Sequence, residues 1–436
     1  MDTDRAVEFA RSATIRDAPA DVERHVKIRV LDTLAAITAG FRQEGVDIVR
    51  DYAIERHAES DASRGATLLD GTGTALTVAG ATLANATAAN ALDVDDGHRE
   101  VKGHPAAVVI PAAMATAEVA DATIRDFLDA VYIGYELAVR AGLAIHELDG
   151  VYTGTGSWGA LGAAAAAARL NGLSEEQTAH ALGVAEYHAP RTPIMRGVER
   201  PGMTKDGIGW GSYAGVVAAD LAASGFTGSG TNFDDINDRH SLDGPFHVTR
   251  GYLKPHPCCR WAQPGVEAVL GLVSQNELDP GSVERIRVAT FEEVTYLQTC
   301  APTSPEDAQY SYPYPVTAAL VRGQFTQAEH AAEGQSDPEV LDTAERVELL
   351  VDEALDAAFP HECLARVEIE TTEATYESGV TKARGARDDP LSDAARLEKA
   401  RRLVSPTLPM TVIDRLEMRL DDGRRSVASL TNSWRS

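Results

Sequence analysis

Residues 91–111 read ALDVDDGHREVKGHPAAVVIP, and they place Asp93, Asp95, Asp96, His98 and His104 within a dozen positions. The run leading in, TVAGATLANATAANALDV (77–94), is apolar, helical in period and built of small residues that let helices approach closely. Gly97 and Gly103 break helical propensity where the ionisable side chains gather. The pattern predicts a loop held by buried helices. Such a loop is where binding and catalytic groups are usually placed, and an imidazole beside carboxylates can have its pKa moved into a range useful for proton transfer. Turn and helix-end hydrogen bonding accounts for any one of the aspartates taken singly. A calcium loop does not fit, because the twelfth position from Asp93 is His104 and not a bidentate glutamate. A transition-metal site stays open on residue type, although the spacing matches no standard motif.

With 436 residues, the chain is long enough for two domains. From Asp4 to about Gly225 apolar residues recur at helical spacing, as in Val22 to Phe41 and in the nearly all-small stretch 156–170, which reads as a buried central helix. Thr123 with Asp126 and Ser174 with Gln177 have the spacing of capping boxes. The Gly- and Asp-rich stretch 225–246 changes the texture. Beyond it VERIRVATF (283–291) and RVEIETT (366–372) alternate as half-buried strands, with helices expected at Gly265 to Val273 and around Pro338 to Val347. TKARGARDDPLSD (381–393) reads as a polar linker or exposed loop, after which LEKARRLV and VIDRLEMRL return to helical period.

The formal net charge of -26 argues against a nucleic-acid or anionic-membrane partner and suits a salt-rich, halophilic setting. An anionic substrate then needs a local basic patch. RTPIMRGVERPGMTKDGIGWG (191–211) supplies one with Arg191, Arg196, Arg200 and Lys205, and Arg presents a fork matched to carboxylates. KPHPCCRWAQP (254–264) supplies Lys254 and Arg260. Four cysteines, Cys258, Cys259, Cys300 and Cys363, are too few and too unevenly spaced for a disulfide framework, and an intracellular, cytoplasmic protein is expected. Adjacent Cys258 and Cys259 are poor ligands for an iron–sulfur cluster. There is no apolar signal core and no membrane-length run.

The string DVDDGH followed by HP resembles the D-x-DD-x-H...HP signature of the MmgE/PrpD family, which includes 2-methylcitrate dehydratases, cis-aconitate decarboxylases and an iminodisuccinate epimerase. TKDG, KPHPCCRWAQP and AQYSYPYPVTAALVRG (308–323) extend the likeness. The resemblance implies a mainly α chain: a large all-helical domain, 1–252 completed by 394–436, with a smaller inserted α+β lid domain, 253–393. It implies catalytic roles for Lys205 and Tyr314; the chemistry of the residues themselves adds Asp93, His98 and His104 as proton-transfer groups and Arg191, Lys254, Arg260 and Gln263 as substrate binders, with no metal and no cofactor expected. Two positions depart from the pattern. Gln263 and Thr153 stand where better-known members carry histidines, and glutamine cannot exchange protons near neutral pH, which leaves His256 as a nearby substitute.

The activity expected from all this is a lyase acting on a small di- or tricarboxylate by proton abstraction next to a carboxylate. The nearest named reaction is 2-methylcitrate dehydration, with cis-aconitate decarboxylation and amino-dicarboxylate epimerisation as alternatives. A carboxylate-binding protein without catalysis, or a metal hydrolase built on the Asp/His cluster, would use the same residues differently. Ala- and Gly-rich helices suggest a homodimer, with the active site in the cleft between the helical part and the lid.

Overall fold

The computed structural model describes residues 1–61, 64–236, 240–276 and 278–435, so positions 237–239 of the Gly- and Asp-rich stretch lie outside the described residues. Helices dominate up to Ala223. Ala20–Gly40, Val78–Asn90, Pro105–Val119, Ile124–Asp149, Thr155–Leu170 and Ile208–Ala223 pack around one apolar core made largely of alanine and valine. Both capping boxes form, starting Ile124–Asp149 and Glu175–His188. Thr155–Leu170 is buried over most of its length between Ile124–Asp149 and Ile208–Ala223. That contact works because the glycines are stripped to backbone: a Cβ at Gly162 would come within 2.3 Å of Gly134 O, and one at Gly211 within 2.3 Å of Gly156 O. The small residues that suggested a subunit interface are therefore consumed inside one chain, and they no longer argue for a dimer.

A second apolar core holds the helices Gln263–Gln275 and Pro313–Arg322 against a five-stranded sheet. Val283–Thr290 and Leu364–Thr371 pair antiparallel, with Ile286 opposite Ile369 and Val288 opposite Val367. The alternation seen in sequence is the alternation of burial along Leu364–Thr371. Val347–Val351 adds a parallel edge strand, Thr375–Glu377 pairs with Leu364–Thr371, and Thr381–Lys382 also joins that strand. The edge strand was not legible: VELLV keeps an exposed or half-buried face throughout and lacks clean alternation.

The C-terminal helices Asp393–Val404 and Thr411–Leu420 bury against Ala20–Gly40 of the first core. Lys399 Nζ reaches Asp32 Oδ1 at 2.7 Å, and Trp434 Nε1 donates to Thr38 Oγ1 at 2.9 Å. Residues 381–393 are not a free linker. Ala383 and Ala386 are buried, Leu253 N donates to Gly385 O at 3.0 Å, and Gly385 has the positive φ of +97° that this close approach needs. The segments that cross between the two cores thus run side by side. Among the described residues no helix is long and apolar enough to cross a membrane.

Candidate active site

The helix Val78–Asn90 ends at Ala91, and the chain then bends sharply because Asp93 adopts the left-handed region with φ 51°. Gly97 ties the loop down by exchanging backbone hydrogen bonds with Tyr252 at 2.9 and 2.8 Å, so close that a Cβ on Gly97 would meet the Tyr252 ring at 2.3 Å. His98 and Gly103 pair in a small turn that carries Arg99 and Lys102 outward. His104 precedes Pro105, which disfavours helical geometry at His104 and starts the next helix at its first turn. Asp96 serves that helix as its anionic cap, accepting from Ala106 N at 3.1 Å.

One hydrogen bond and one ion pair fix the His104 ring: Nδ1 donates to Asp96 O at 2.8 Å and lies 3.0 Å from Asp95 Oδ2. Nε2 is left facing Asp93 Oδ1 at 3.6 Å and Asp206 Oδ2 at 3.8 Å. Burial works against charge on the ring, but Asp95 and Asp93 outweigh it and hold the imidazole at about 9. Burial likewise opposes charge on Asp93, yet Lys254, Lys205 and His104 bring it down to about 2. Lys254 Nζ lies 2.9 Å from Asp93 Oδ1 and donates to Asp93 O at 3.1 Å; burial lowers its pKa, and the Asp93 charge more than restores it. Burial pushes Asp206 up, against the pull of His104 and Lys205. The site therefore carries an imidazolium at neutral pH, with Nε2 as the proton that can leave.

Lys205 also sits in the left-handed region, φ 45°; its ammonium hydrogen-bonds Gln309 Oε1 and lies 4.9 Å from the Tyr310 ring centre. Gln309 in turn donates to Ala91 O at 2.8 Å, tying the second core to the aspartate loop. Among the described residues, four non-glycine positions have positive φ, and Asp93, Lys102 and Lys205 are three of them. Such conformations persist where the surrounding structure over-determines them, and they cluster at functional sites.

These groups wall a cavity of about 530 Å³ between the two cores, lined from one side by Asp93, Arg99, Lys102, His104 and Asp206 and from the other by Tyr252, Lys254, Arg260, Tyr310 and Cys363. Arg260 stacks 4.3 Å from the Tyr252 ring centre and donates to the carbonyls of Ala383 and Arg384. Lys102 Nζ lies 4.0 Å from the Tyr152 ring centre, and burial lowers its pKa. Arg99, Lys102 and Arg260 have no carboxylate contact among the described residues, unlike Lys254 and Lys205 beside Asp93.

The structure brings together Asp93, His104, Lys205, Lys254 and Arg260 of the expected set, and places four others elsewhere. His98 lies behind the loop with its ring 5.3 Å from that of His247, and burial takes it down to about 3, which leaves it neutral. Tyr314 is buried and donates to Glu329 O at 2.6 Å; it is Tyr310, two turns of sequence alternation earlier, that faces the cavity. Arg191 forks onto Asp149 at 2.9 and 2.7 Å in solvent. Gln263 is fully buried and donates to His256 O and Cys258 O at 2.7 and 3.0 Å, so it fastens the 256–258 turn. His256 itself pairs with Glu267 at 3.2 Å and does not replace an acid or base in the cavity. Thr153 is buried against His146 and Ser157.

Sequence reasoning missed Asp206, Gln309, Arg99 and Lys102. All four sit beside residues that were singled out; charge within REVKG and TKDG was the available signal for Arg99, Lys102 and Asp206, and Gln309 carried none. Asp93, Asp95 and His104 could also hold a metal ion, since one ligand atom from each lies within 4.8 Å of the others. Lys254 already lies 2.9 Å from Asp93 there, so a cation would compete with an ammonium for that carboxylate.

Residues 4–237 match the MmgE/PrpD N-terminal domain and residues 256–422 the MmgE/PrpD C-terminal domain. The chain is 27% identical to the cis-aconitate decarboxylase-like protein oryM of Aspergillus oryzae (strain ATCC 42149 / RIB 40), over 92% of this chain and 90% of that one. It is 24% identical to a cis-aconitate decarboxylase of Aspergillus terreus, over 95% and 91%. With both domains matched over most of its length, and the aspartate loop and Lys254 converging on one cavity, this chain belongs to the MmgE/PrpD family.

Proposed function

We propose that this protein is a lyase that moves a proton within a small polycarboxylate, and that decarboxylation of a β,γ-unsaturated acid such as cis-aconitate is its reaction. The observation that carries this is His104, buried, oriented through Nδ1 and held as an imidazolium whose Nε2–H faces the cavity. In such a reaction the bond to the departing carboxylate breaks, its electrons shift the double bond, and a proton is delivered to the far alkene carbon. The electron pair comes from the substrate, so the protein needs an acid and cations more than a strong base. His104 gives the proton and regains one from solvent. Lys254, Arg260 and Lys102 hold the remaining carboxylates, and the chemical step releases carbon dioxide.

A second reading is dehydration of a 2-methylcitrate-like hydroxy acid. It needs a base as well, and Asp206, whose pKa is raised by burial and which faces His104 Nε2 at 3.8 Å, is the observation in its favour. The names of the relatives support the first reading at low identity. The test is proton NMR on purified protein in deuterated water with cis-aconitate, 2-methylcitrate and related acids. Decarboxylation releases carbon dioxide and gives a product with one deuterium at the new C–H bond; dehydration consumes the hydroxy acid and gives an unsaturated tricarboxylate with no loss of carbon dioxide. Deuterium exchange alone points to epimerisation, and ligand binding with no turnover to a binding protein. Activity that disappears with chelator and returns with a divalent ion would remove this reading in favour of a metal hydrolase.

A further inference from the structure

We infer that His98, His247 and Glu100 bind one divalent transition-metal ion of the zinc type, which clamps the back of the aspartate loop and takes no part in the chemistry of the cavity. One ligand atom from each residue lies within 4.8 Å of the others. Two imidazoles and a carboxylate are a recurrent donor set for zinc. Both rings are buried, His98 at 1% and His247 at 5% exposure, and among the described residues His98 Nδ1, His98 Nε2 and His247 Nδ1 have no hydrogen-bond partner. The His247 carbonyl is near the His98 ring, but it accepts from Arg250 N at 2.9 Å. Orphaned nitrogens in a buried pocket are costly unless an ion or a water uses them.

Ring geometry fits the same ion. The ring centres of His98 and His247 are 5.3 Å apart, with the planes inclined at 65°. Two imidazoles on one tetrahedral zinc have their centres about 5 Å apart, given Zn–N bonds of about 2.0–2.1 Å. Burial keeps both rings in the neutral form that binds metal, His98 at about 3 and His247 at about 2. Nearby cations are already matched: Arg29 faces Asp96 at 3.8 Å, Arg140 pairs with Glu136 at 2.5 Å, and Arg250 meets Glu100 Oε1 at 2.7 Å. That last contact engages one carboxylate oxygen and leaves the other for an ion, the arrangement in which outer partners orient metal-binding carboxylates. The ligands come from two segments. His98 and Glu100 belong to the turn that leads to His104, and His247 opens the short 3₁₀ turn His247–Thr249, where His247 N and Val248 N donate to Glu136 at 3.0 and 2.9 Å. An ion there ties the aspartate loop to the segment that runs on to Lys254.

The experiment strips the purified chain with dipicolinate, returns zinc, and reads stoichiometry by metal analysis, Kd by calorimetry and coordination geometry from the visible spectrum of the cobalt form. One equivalent should bind at micromolar zinc or below, with a tetrahedral cobalt spectrum and a melting temperature that rises with zinc concentration. Glu100→Gln, at a partly exposed position, should weaken binding at least about tenfold, and His247→Asn should abolish it. Circular dichroism checks that both variants fold, and Glu100→Gln alone decides the matter if His247→Asn does not. A chain that takes up no zinc at millimolar concentration overturns the site, as does zinc held equally well by Glu100→Gln. Zinc kept by Glu100→Gln and lost from Asp95→Asn places the ion on Asp93, Asp95 and His104 and overturns it too. Turnover should survive chelation below the melting temperature; turnover lost with the zinc removes the clamp role.

Discussion

Replacing Asp95 by asparagine tests the imidazolium directly. Asp95 Oδ2 lies in an ion pair 3.0 Å from His104 Nδ1, and its other oxygen accepts from Asn90 Nδ2 at 3.0 Å. Burial disfavours the charged ring, and Asp95 is the largest of the contributions that overcome it and hold the ring at about 9, against an ordinary value of 6.5. That difference corresponds to about 3 kcal/mol in favour of the charged form, a sum shared with Asp93. Without the Asp95 charge, burial and Lys254 still push downward, so the ring should titrate at or below 6.5. At pH 8 the protonated fraction would fall roughly 30-fold, and kcat with it if His104 is the acid. The sign for stability follows: a raised imidazole stabilises the fold fully below 6.5, and the contribution disappears as pH rises through about 9. The new amide must turn an N–H toward either Asn90 or His104, which costs about 1–3 kcal/mol more and is read separately from melting curves. The assay is an NMR titration of the His104 ring in both proteins, alongside pH–rate profiles. An Asp95→Asn ring that still titrates near 9 would refute the reasoning, whatever happens to the rate.

Lys254→Met leaves Asp93 buried with only the more distant Lys205 and His104 and should cost about 3–5 kcal/mol in urea unfolding at pH 7; wild-type stability would mean that those two compensate the charge. Lys102→Met should raise KM for a tricarboxylate roughly tenfold, the size of one lost hydrogen bond to a charged group, with kcat nearly unchanged; an unaltered KM removes Lys102 from substrate binding. Burial holds His98 at about 3, His247 at about 2 and His330 at about 4, so the unfolded chain takes up protons below 6.5 that the folded chain refuses. Urea midpoints should drop between pH 6.5 and 4, and less steeply in His247→Phe; equal slopes would discount these rings.

Helices and strands were legible where one periodicity controlled burial, as in Leu364–Thr371 and at the two capping boxes. The aspartate loop was legible because its charges had nowhere apolar to hide. What could not be read was direction. Tyr310 and Tyr314 sit in one aromatic run, and only the turn at Ser311, whose hydroxyl accepts from Tyr314 N at 3.0 Å, sends the first to the cavity and the second to Glu329. Arg191 offered the right chemistry for a carboxylate and met Asp149 of its own chain first. Residues 381–393 looked like linker because their buried members are alanines between charges, and the carbonyls that receive Arg260 carry no sequence signal.

A chain with 66 acidic and 40 basic side chains can still build an anion site because the acids that matter are already paired. Asp93 is beside Lys254, Asp95 lies 3.0 Å from His104 Nδ1, Asp96 caps a helix and accepts from Tyr135 at 2.9 Å, and Asp32 holds Lys399. These aspartates are thereby given fixed partners in a region with little water to screen them, while Arg99, Lys102 and Arg260 have no carboxylate contact among the described residues. Over distances longer than the Debye length, about 8 Å at physiological salt and shorter in brine, the surface acids are screened and the local excess of cations decides what enters. The same geometry accounts for the buried imidazolium, since burial opposes the His104 charge and the nearby Asp95 and Asp93 carboxylates outweigh it. The acid, the cations and the aspartates are thus one coupled network, and removing a single partner should shift the protonation of the others as well as its own contact.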